Sequence, residues 1–196
     1  MGKSIKGTKT EKNLVAAFAG ESMDSNRYMW FAHAARSSAI KPGYEQILKI
    51  FTDTAENEKI HARMFFKYIE WGDVEITASY PAGIVKDTKT NLEAAADREK
   101  FEWTTLYQNF AKTAREEGFP EVATSFEQIA KAEKFNESRF RKLAENIANG
   151  RVFKRAAPVE WHCINCAYVF EGTEAPAICP ACKHPYSYYE LLGENY

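Results

Sequence analysis

Glycine and proline are nearly confined to a few short stretches of this chain, and the long stretches between them each carry a single apolar stripe. That punctuation fixes the architecture. The first helical stretch is expected from about Thr10 to Ser38, ending before Lys41-Pro42-Gly43, and the second from about Tyr44 to Trp71, stopping at Gly72-Asp73. A connection follows from Val74 to Asp87, with turn-like pieces such as Tyr80-Pro81-Ala82-Gly83. A third helix is expected over Thr88 to Glu117 and a fourth over Pro120 to Asn149, closed by Gly150. Helices of roughly 28–30 residues are far longer than the ~11–12 residue mean and suit an all-α four-helix bundle. Two hairpin-like pairs joined by one long crossover complete the expected layout.

The stripes name the core and contain residues that an apolar core excludes. The second reads Ile47, Phe51, Thr54, Glu58, His61, Phe65, Tyr68; the fourth reads Val122, Phe126, Ile129, Glu133, Asn136, Phe140, Leu143, Ile147. The third gives Leu92, Ala95, Glu99, Glu102, Leu106, Phe110, and the first Leu14, Ala17, Glu21, Asp24, Tyr28, Phe31, Ala35. Alternating steps of three and four keep each set on one helix face. A lone Glu in a chain that is 27% charged is ordinarily solvated, and Glu116, Glu117 and Glu145 read that way. All four seams broken by carboxylates at similar depth is a different matter.

Buried carboxylates cost several kcal/mol each without compensation, and the seams offer no Lys or Arg to pair with Glu21, Glu58, Glu99, Glu102 and Glu133. A pair of divalent cations supplies the missing charge. Glu58-x-x-His61 puts carboxylate and imidazole one turn apart on one face, the element that di-iron carboxylate bundles use. Iron or manganese suits such a mixed oxygen and imidazole set. Glu133-x-x-Asn136 is the same element with an amide in place of the imidazole. Asn136 could offer its oxygen as a weak ligand or support a neighbouring carboxylate. Tyr28 and Tyr107 could point phenols at the carboxylates or be ordinary core tyrosines.

The C-terminal tail holds every cysteine of the chain, as Cys163-x-x-Cys166 and Cys179-x-x-Cys182. Two such knuckles present four thiolates to one tetrahedral ion, zinc or iron. His162 and His184 flank a thiolate set that is already complete, and His33 reads as structural or exposed. A formal net charge of −1 gives no field for nucleic acid or an anionic membrane. The start, from Met1 to Lys6, is basic without the apolar run of a signal peptide, and no stretch reaches membrane-spanning length. A soluble protein of a reducing cytoplasm is expected.

Ala19-Gly20-Glu21-Ser22, Glu58-x-x-His61-Ala62-Arg63, Glu99-x-x-Glu102, Ala132-Glu133 and the tail from Cys163 to Cys182 together resemble rubrerythrins along essentially the whole chain. The resemblance implies a ferritin-like di-iron bundle over residues 1–150, a linker at 151–159 and a rubredoxin-like domain over 160–196. By this likeness Glu21, Glu58, Glu99, Glu102 and Glu133 ligate a non-haem di-iron centre, with Glu58 and Glu133 bridging. His61 and Glu102 alternate on one iron with oxidation state, and Tyr28 and Tyr107 bond ligand carboxylates. Cys163, Cys166, Cys179 and Cys182 hold one Fe(Cys)4 iron of the rubredoxin type. The implied activity is NAD(P)H-linked reduction of hydrogen peroxide in oxidative stress defence, with rubredoxin or an NAD(P)H-dependent reductase as redox partner, in a homodimer or larger homo-oligomer. Two positions depart from the family pattern: Asn136 stands for the ligand histidine, and Ala167 for the glycine after the second cysteine. The competing classes are a ferritin-like ferroxidase that handles iron, and a di-metal bundle with a zinc-ribbon tail and weak peroxidase activity because of Asn136.

Overall fold

The computed structural model describes residues 3–36 and 43–193, so the expected end of the first helix at Ser38 and the turn at Lys41-Pro42 lie outside the described residues. Helix α1 spans Lys9–Ala35 and α2 spans Glu45–Phe66. Thr8 caps α1 with its side chain on Glu11 N. Arg36, beyond Ala35, is already extended. Helix α2 stops five residues short of the expected Trp71, which is almost fully exposed.

The third expected helix is three pieces on one continuous path: α3 (Thr88–Phe101), a π-helical turn (Glu102–Leu106) and α4 (Tyr107–Glu116). Asp87 caps α3, accepting from Thr90 N at 3.1 Å. The π turn, closed by Tyr107 N donating to Glu102 O, contains one residue more than an α-turn. It shifts the buried stripe by one position, so that Tyr107, Ala111 and Ala114 enter the core while Leu106 and Phe110 are only half-buried. Helix α5 spans Pro120–Ala148, with proline in its first turn, where its missing N–H is harmless. Glu117 does not stay on a solvated face. It accepts from Lys9 N at 3.1 Å and from Thr10 N at 2.8 Å, so the residue ending α4 caps the start of α1.

Helix α1 pairs with α2, and the α3–α4 rod pairs with α5; the connection over 67–87 carries no helix or strand. Two apolar layers fill the interior. One contains Tyr28, Phe31, Ile47, Phe51, Leu92 and Phe140. The other contains Leu14, Phe65, Tyr107, Val122 and Phe126. The seam carboxylates lie between them, each at most 1% exposed.

The tail is a three-stranded antiparallel sheet in the order β2-β1-β3, with β1 at Lys154–Cys163, β2 at Val169–Glu174 and β3 at Tyr189–Leu191. Because Lys154 already pairs with Glu174, most of the expected linker at 151–159 belongs to this sheet. Trp161 and Tyr189 form its buried centre, and Trp161 Nε1 donates to Gly172 O at 2.9 Å. The rings of Tyr44 and Phe153 stack at 5.9 Å between centroids, and Phe153 meets Tyr186 at 4.9 Å, joining bundle to tail.

Candidate metal centres

In the tail, each Cys-x-x-Cys knuckle is a tight turn: Ala167 N donates to Cys163 O at 2.8 Å, and Lys183 N to Cys179 O at 2.9 Å. The residue after each second cysteine takes a left-handed backbone, Ala167 at φ 62° and Lys183 at φ 65°. This conformation favours glycine, and a non-glycine residue adopts it at some cost. The four sulfurs lie within 4.8 Å of one another and none is in a disulfide. Burial pushes the Cys163 thiol up to about 12, whereas the backbone N–H of His184 draws Cys182 down to about 5. A cation among the four compensates the charge that burial disfavours and holds all four as thiolates. His184 serves the site through that N–H, not its ring.

In the bundle, α1 supplies Glu21, α2 supplies Glu58 and His61, and α5 supplies Glu133, with potential ligand atoms within 4.8 Å of one another. His61 Nδ1 lies 2.9 Å from Glu58 Oε2, 2.9 Å from Glu133 Oε1 and 3.9 Å from Glu21 Oε2. Glu99 adjoins this group from α3, close enough to share a hydrogen bond with Glu133. Tyr28 of one apolar layer donates to Glu99 Oε1 at 2.5 Å. Tyr107 of the other layer donates to Glu21 Oε1 and lies 3.4 Å from Glu102 Oε1. Both tyrosines therefore combine the two roles that the sequence left open.

Glu58, Glu99, Glu102 and Glu133 are all held well above the usual carboxylate range, first by burial and then by the charge of neighbouring carboxylates, Glu21 and Asp24 among them. Burial also raises Glu21, and it lowers His61. Among the described residues no donor reaches Glu21 Oε2, Glu58 Oε1 or Glu99 Oε2. For buried carboxylate oxygens without hydrogen bonds, converging from three helices beside an imidazole, a cation takes the place of the missing donors. The residues fit a pair of transition-metal ions.

Asn136 faces the same cluster but its amide is already engaged. Its Nδ2 donates to Glu133 Oε2 at 3.0 Å, and its Oδ1 accepts from Arg139 Nη2 at 3.2 Å. The Arg139 Nη2 also donates to Thr54 Oγ1 at 2.6 Å. Of the two roles open to Asn136, the hydrogen bonds describe the carboxylate-supporting one.

No Lys or Arg was expected on the seams themselves, but Arg98 reaches the carboxylates from beside the seam. It is 5% exposed, bonds Asp24 Oδ2 through Nε at 2.8 Å and pairs with Glu102 through Nη2. Arg98 lies off the apolar stripe by one residue, which disguised it as a solvated residue. Asp24, read only as part of its stripe, is 1% exposed and also accepts from Tyr80 at 2.6 Å.

The order of the two sites along the chain is matched by known proteins. Residues 12–144 match the Rubrerythrin family model, and residues 161–190 match the model of the rubrerythrin rubredoxin-like domain. A rubrerythrin of Nitratidesulfovibrio vulgaris is 52% identical over 99% of this chain and 100% of its own length. One from Porphyromonas gingivalis is 52% identical over 100% of this chain and 96% of its own. Among solved structures, nigerythrin in its fully reduced, all-ferrous state aligns with a TM-score of 0.62 at 27% identity, covering 97% of this chain and 92% of that one.

Proposed function

Because the chain belongs to the rubrerythrin family, with its di-iron bundle and rubredoxin-like domain in the same order, we propose that it reduces hydrogen peroxide to water. Electrons enter through the tail iron, supplied by rubredoxin or an NAD(P)H-dependent reductase, and the working form is a homodimer or larger homo-oligomer. The observation that carries this reading is one chain holding both a tetrathiolate and a carboxylate–imidazole cluster. A store of iron has no use for a one-electron carrier, whereas a reductase that turns over does.

When bound, the iron pair supplies the two electrons that, with two protons, convert one hydrogen peroxide to two waters. The residues set the conditions for that chemistry. By likeness to the family, Glu58 and Glu133 would be shared between the two metals, and Glu21, Glu99 and His61 would each hold one of them. Tyr28 and Tyr107 stay protonated, because burial and the adjacent carboxylates push both phenols well above their ordinary range. They can therefore donate to Glu99 and Glu21 and fix the orientation of those side chains. The apolar layers on either side exclude bulk water and strengthen each charge interaction between them.

The test is stopped-flow oxidation of anaerobically reduced protein, followed at the tail chromophore. Reoxidation by hydrogen peroxide is expected to be much faster than by dioxygen. Equal rates, or a faster reaction with dioxygen, would turn the assignment to the ferroxidase class. No described helix is long and apolar enough to cross a membrane.

A further inference from the structure

The sheet of the tail buries a phenol that its own fold leaves unsatisfied. Tyr189 of β3 is fully buried, and its hydroxyl completes no hydrogen bond among the described residues. Burying a hydroxyl in that state costs stability, and a phenylalanine ring would fill the same space without the cost. Trp161, equally buried in the same cluster, shows the usual solution, sending its Nε1 to Gly172 O at 2.9 Å. Tyr168, Tyr186 and Tyr188 keep part of their surface in water.

What the Tyr189 hydroxyl faces is sulfur. Tyr189 stands opposite Cys163 in the pairing of β3 with β1, and opposite residues of a sheet present their side chains on one face. Ile164 N donates to Tyr188 O at 2.9 Å, which fixes β3 against the first knuckle. Cys163, Cys179 and Tyr189 belong to one buried cluster. Burial, and then the Cys179 sulfur, push the phenol above its ordinary range. Burial raises the Cys179 thiol in turn, but the phenol and the backbone N–H groups of its knuckle bring it below its ordinary value. A thiol is a weak acceptor, whereas a thiolate is a charged one. The orphaned hydroxyl therefore gains its partner when Cys179 becomes a metal-bound thiolate.

We propose that Tyr189 is a positioning residue for electron entry: its hydroxyl donates to the Cys179 thiolate and raises the reduction potential of the tail iron. The ferrous site carries one more negative charge than the ferric site, shared with its sulfurs. A donor aimed at one sulfur therefore favours the reduced form. The tail then accepts electrons from a weaker donor and holds them more firmly before passing them on. This rests on the tail holding iron and serving as the electron entry.

The experiment is a spectroelectrochemical titration of the tail chromophore in full-length, iron-loaded protein, comparing the parent with Tyr189→Phe. The substitution keeps the ring and removes only the hydroxyl. The equilibrium constant for reduction is expected to fall about tenfold, which for a one-electron couple is a drop of about 59 mV. The sulfur-to-iron charge-transfer bands should move to longer wavelength, because a sulfur without its donor gives up an electron more easily. Replacing Tyr189 with a fluorotyrosine, its fluorine beside the hydroxyl, supplies a stronger donor of nearly the same size. That variant should shift both readouts in the opposite direction, as a loss of packing would not, and it decides the matter should Tyr189→Phe fail to hold iron. If both variants match the parent in potential and bands, Tyr189 only fills the core and the proposal is overturned. A tail that takes zinc and no iron, even after iron-replete anaerobic expression, would overturn the electron-entry role and this inference together. Shifted potentials in a protein that reacts no faster with hydrogen peroxide than with dioxygen would support this inference and overturn only the proposed activity.

Discussion

Asn136 stands beside Glu133, on the same face of α5, at the bundle centre. Its amide donates to Glu133 and accepts from Arg139, so it orients a carboxylate while offering no nitrogen lone pair. Imidazole is the better partner for a transition metal. Asn136→His is therefore expected to raise iron occupancy of the bundle and speed peroxide turnover, checked by metal analysis and stopped-flow on matched preparations. A gain in affinity of about tenfold is the scale on which ligand-shell changes act. Equal occupancy in the two proteins would show that Asn136 already serves as well as an imidazole. The histidine also surrenders two hydrogen bonds, leaving Arg139 with Thr54, so a small loss of metal-free stability should accompany the gain.

At the scale of the element, the tail knuckles and the broken third helix show what periodicity can and cannot reveal. Ala167 and Lys183 occupy matching left-handed positions, at φ 62° and 65°. Ala167→Gly relieves a strain of about 1–2 kcal/mol, partly offset by the greater freedom of an unfolded glycine. Slower release of tail iron to a chelator, with an unchanged tail spectrum, is the expected result; faster release would mean that the side chain contributes packing. The departure at Ala167 was legible in the sequence, whereas Lys183 was not, because a lysine advertises no backbone conformation. The four long helices were legible for a simple reason: a 3.6-residue period repeated over many turns averages out local irregularity. A single-residue slip inside such a run is invisible to the same averaging, so Leu106 was expected in the core where Tyr107 is found. Arg98 escaped for a different reason: it lies off the stripe, and in a chain rich in surface charge only tertiary structure shows that it is the buried partner of Asp24, a residue its own stripe had already placed in the core.

Across the whole molecule, the bundle resolves into two apolar layers with a stratum of acids between them. With no metal bound, those acids make stability depend on pH in an unusual direction. Burial raises Glu21, Asp24, Glu58, Glu99, Glu102 and Glu133 above their ordinary values. The folded state therefore keeps protons that the unfolded chain has released, and its stability falls as pH rises above the ordinary carboxylate range. Surface caps act oppositely: Glu117 and Asp87 are depressed, and their contribution fades only as pH falls into that range. Denaturant titrations of protein stripped of bundle metal, between about pH 5 and 8, should show stability declining with pH. The metal-loaded protein should not share that decline, since metal binding strengthens as its ligands lose protons. A metal-free bundle indifferent to pH over that range would mean that the acids are less costly to ionise than their burial indicates.

The π turn has one more implication, which concerns chain length. An inserted residue accommodated without displacing its flanks leaves a surplus, and here the Glu102 carbonyl accepts from Tyr107 N, five residues on, instead of from the residue four on. Thr104 is solvent-exposed at the crest of that turn. Deleting it would let α3 and α4 merge into one regular helix while both kept their places in the bundle. The shortened protein should melt at a higher temperature and retain less iron, because the ordinary helix fixes the backbone at Glu102 that the wider turn leaves adjustable. Calorimetry and metal analysis of the deletion would show whether this bundle trades heat resistance for a pliable hinge at its metal centre.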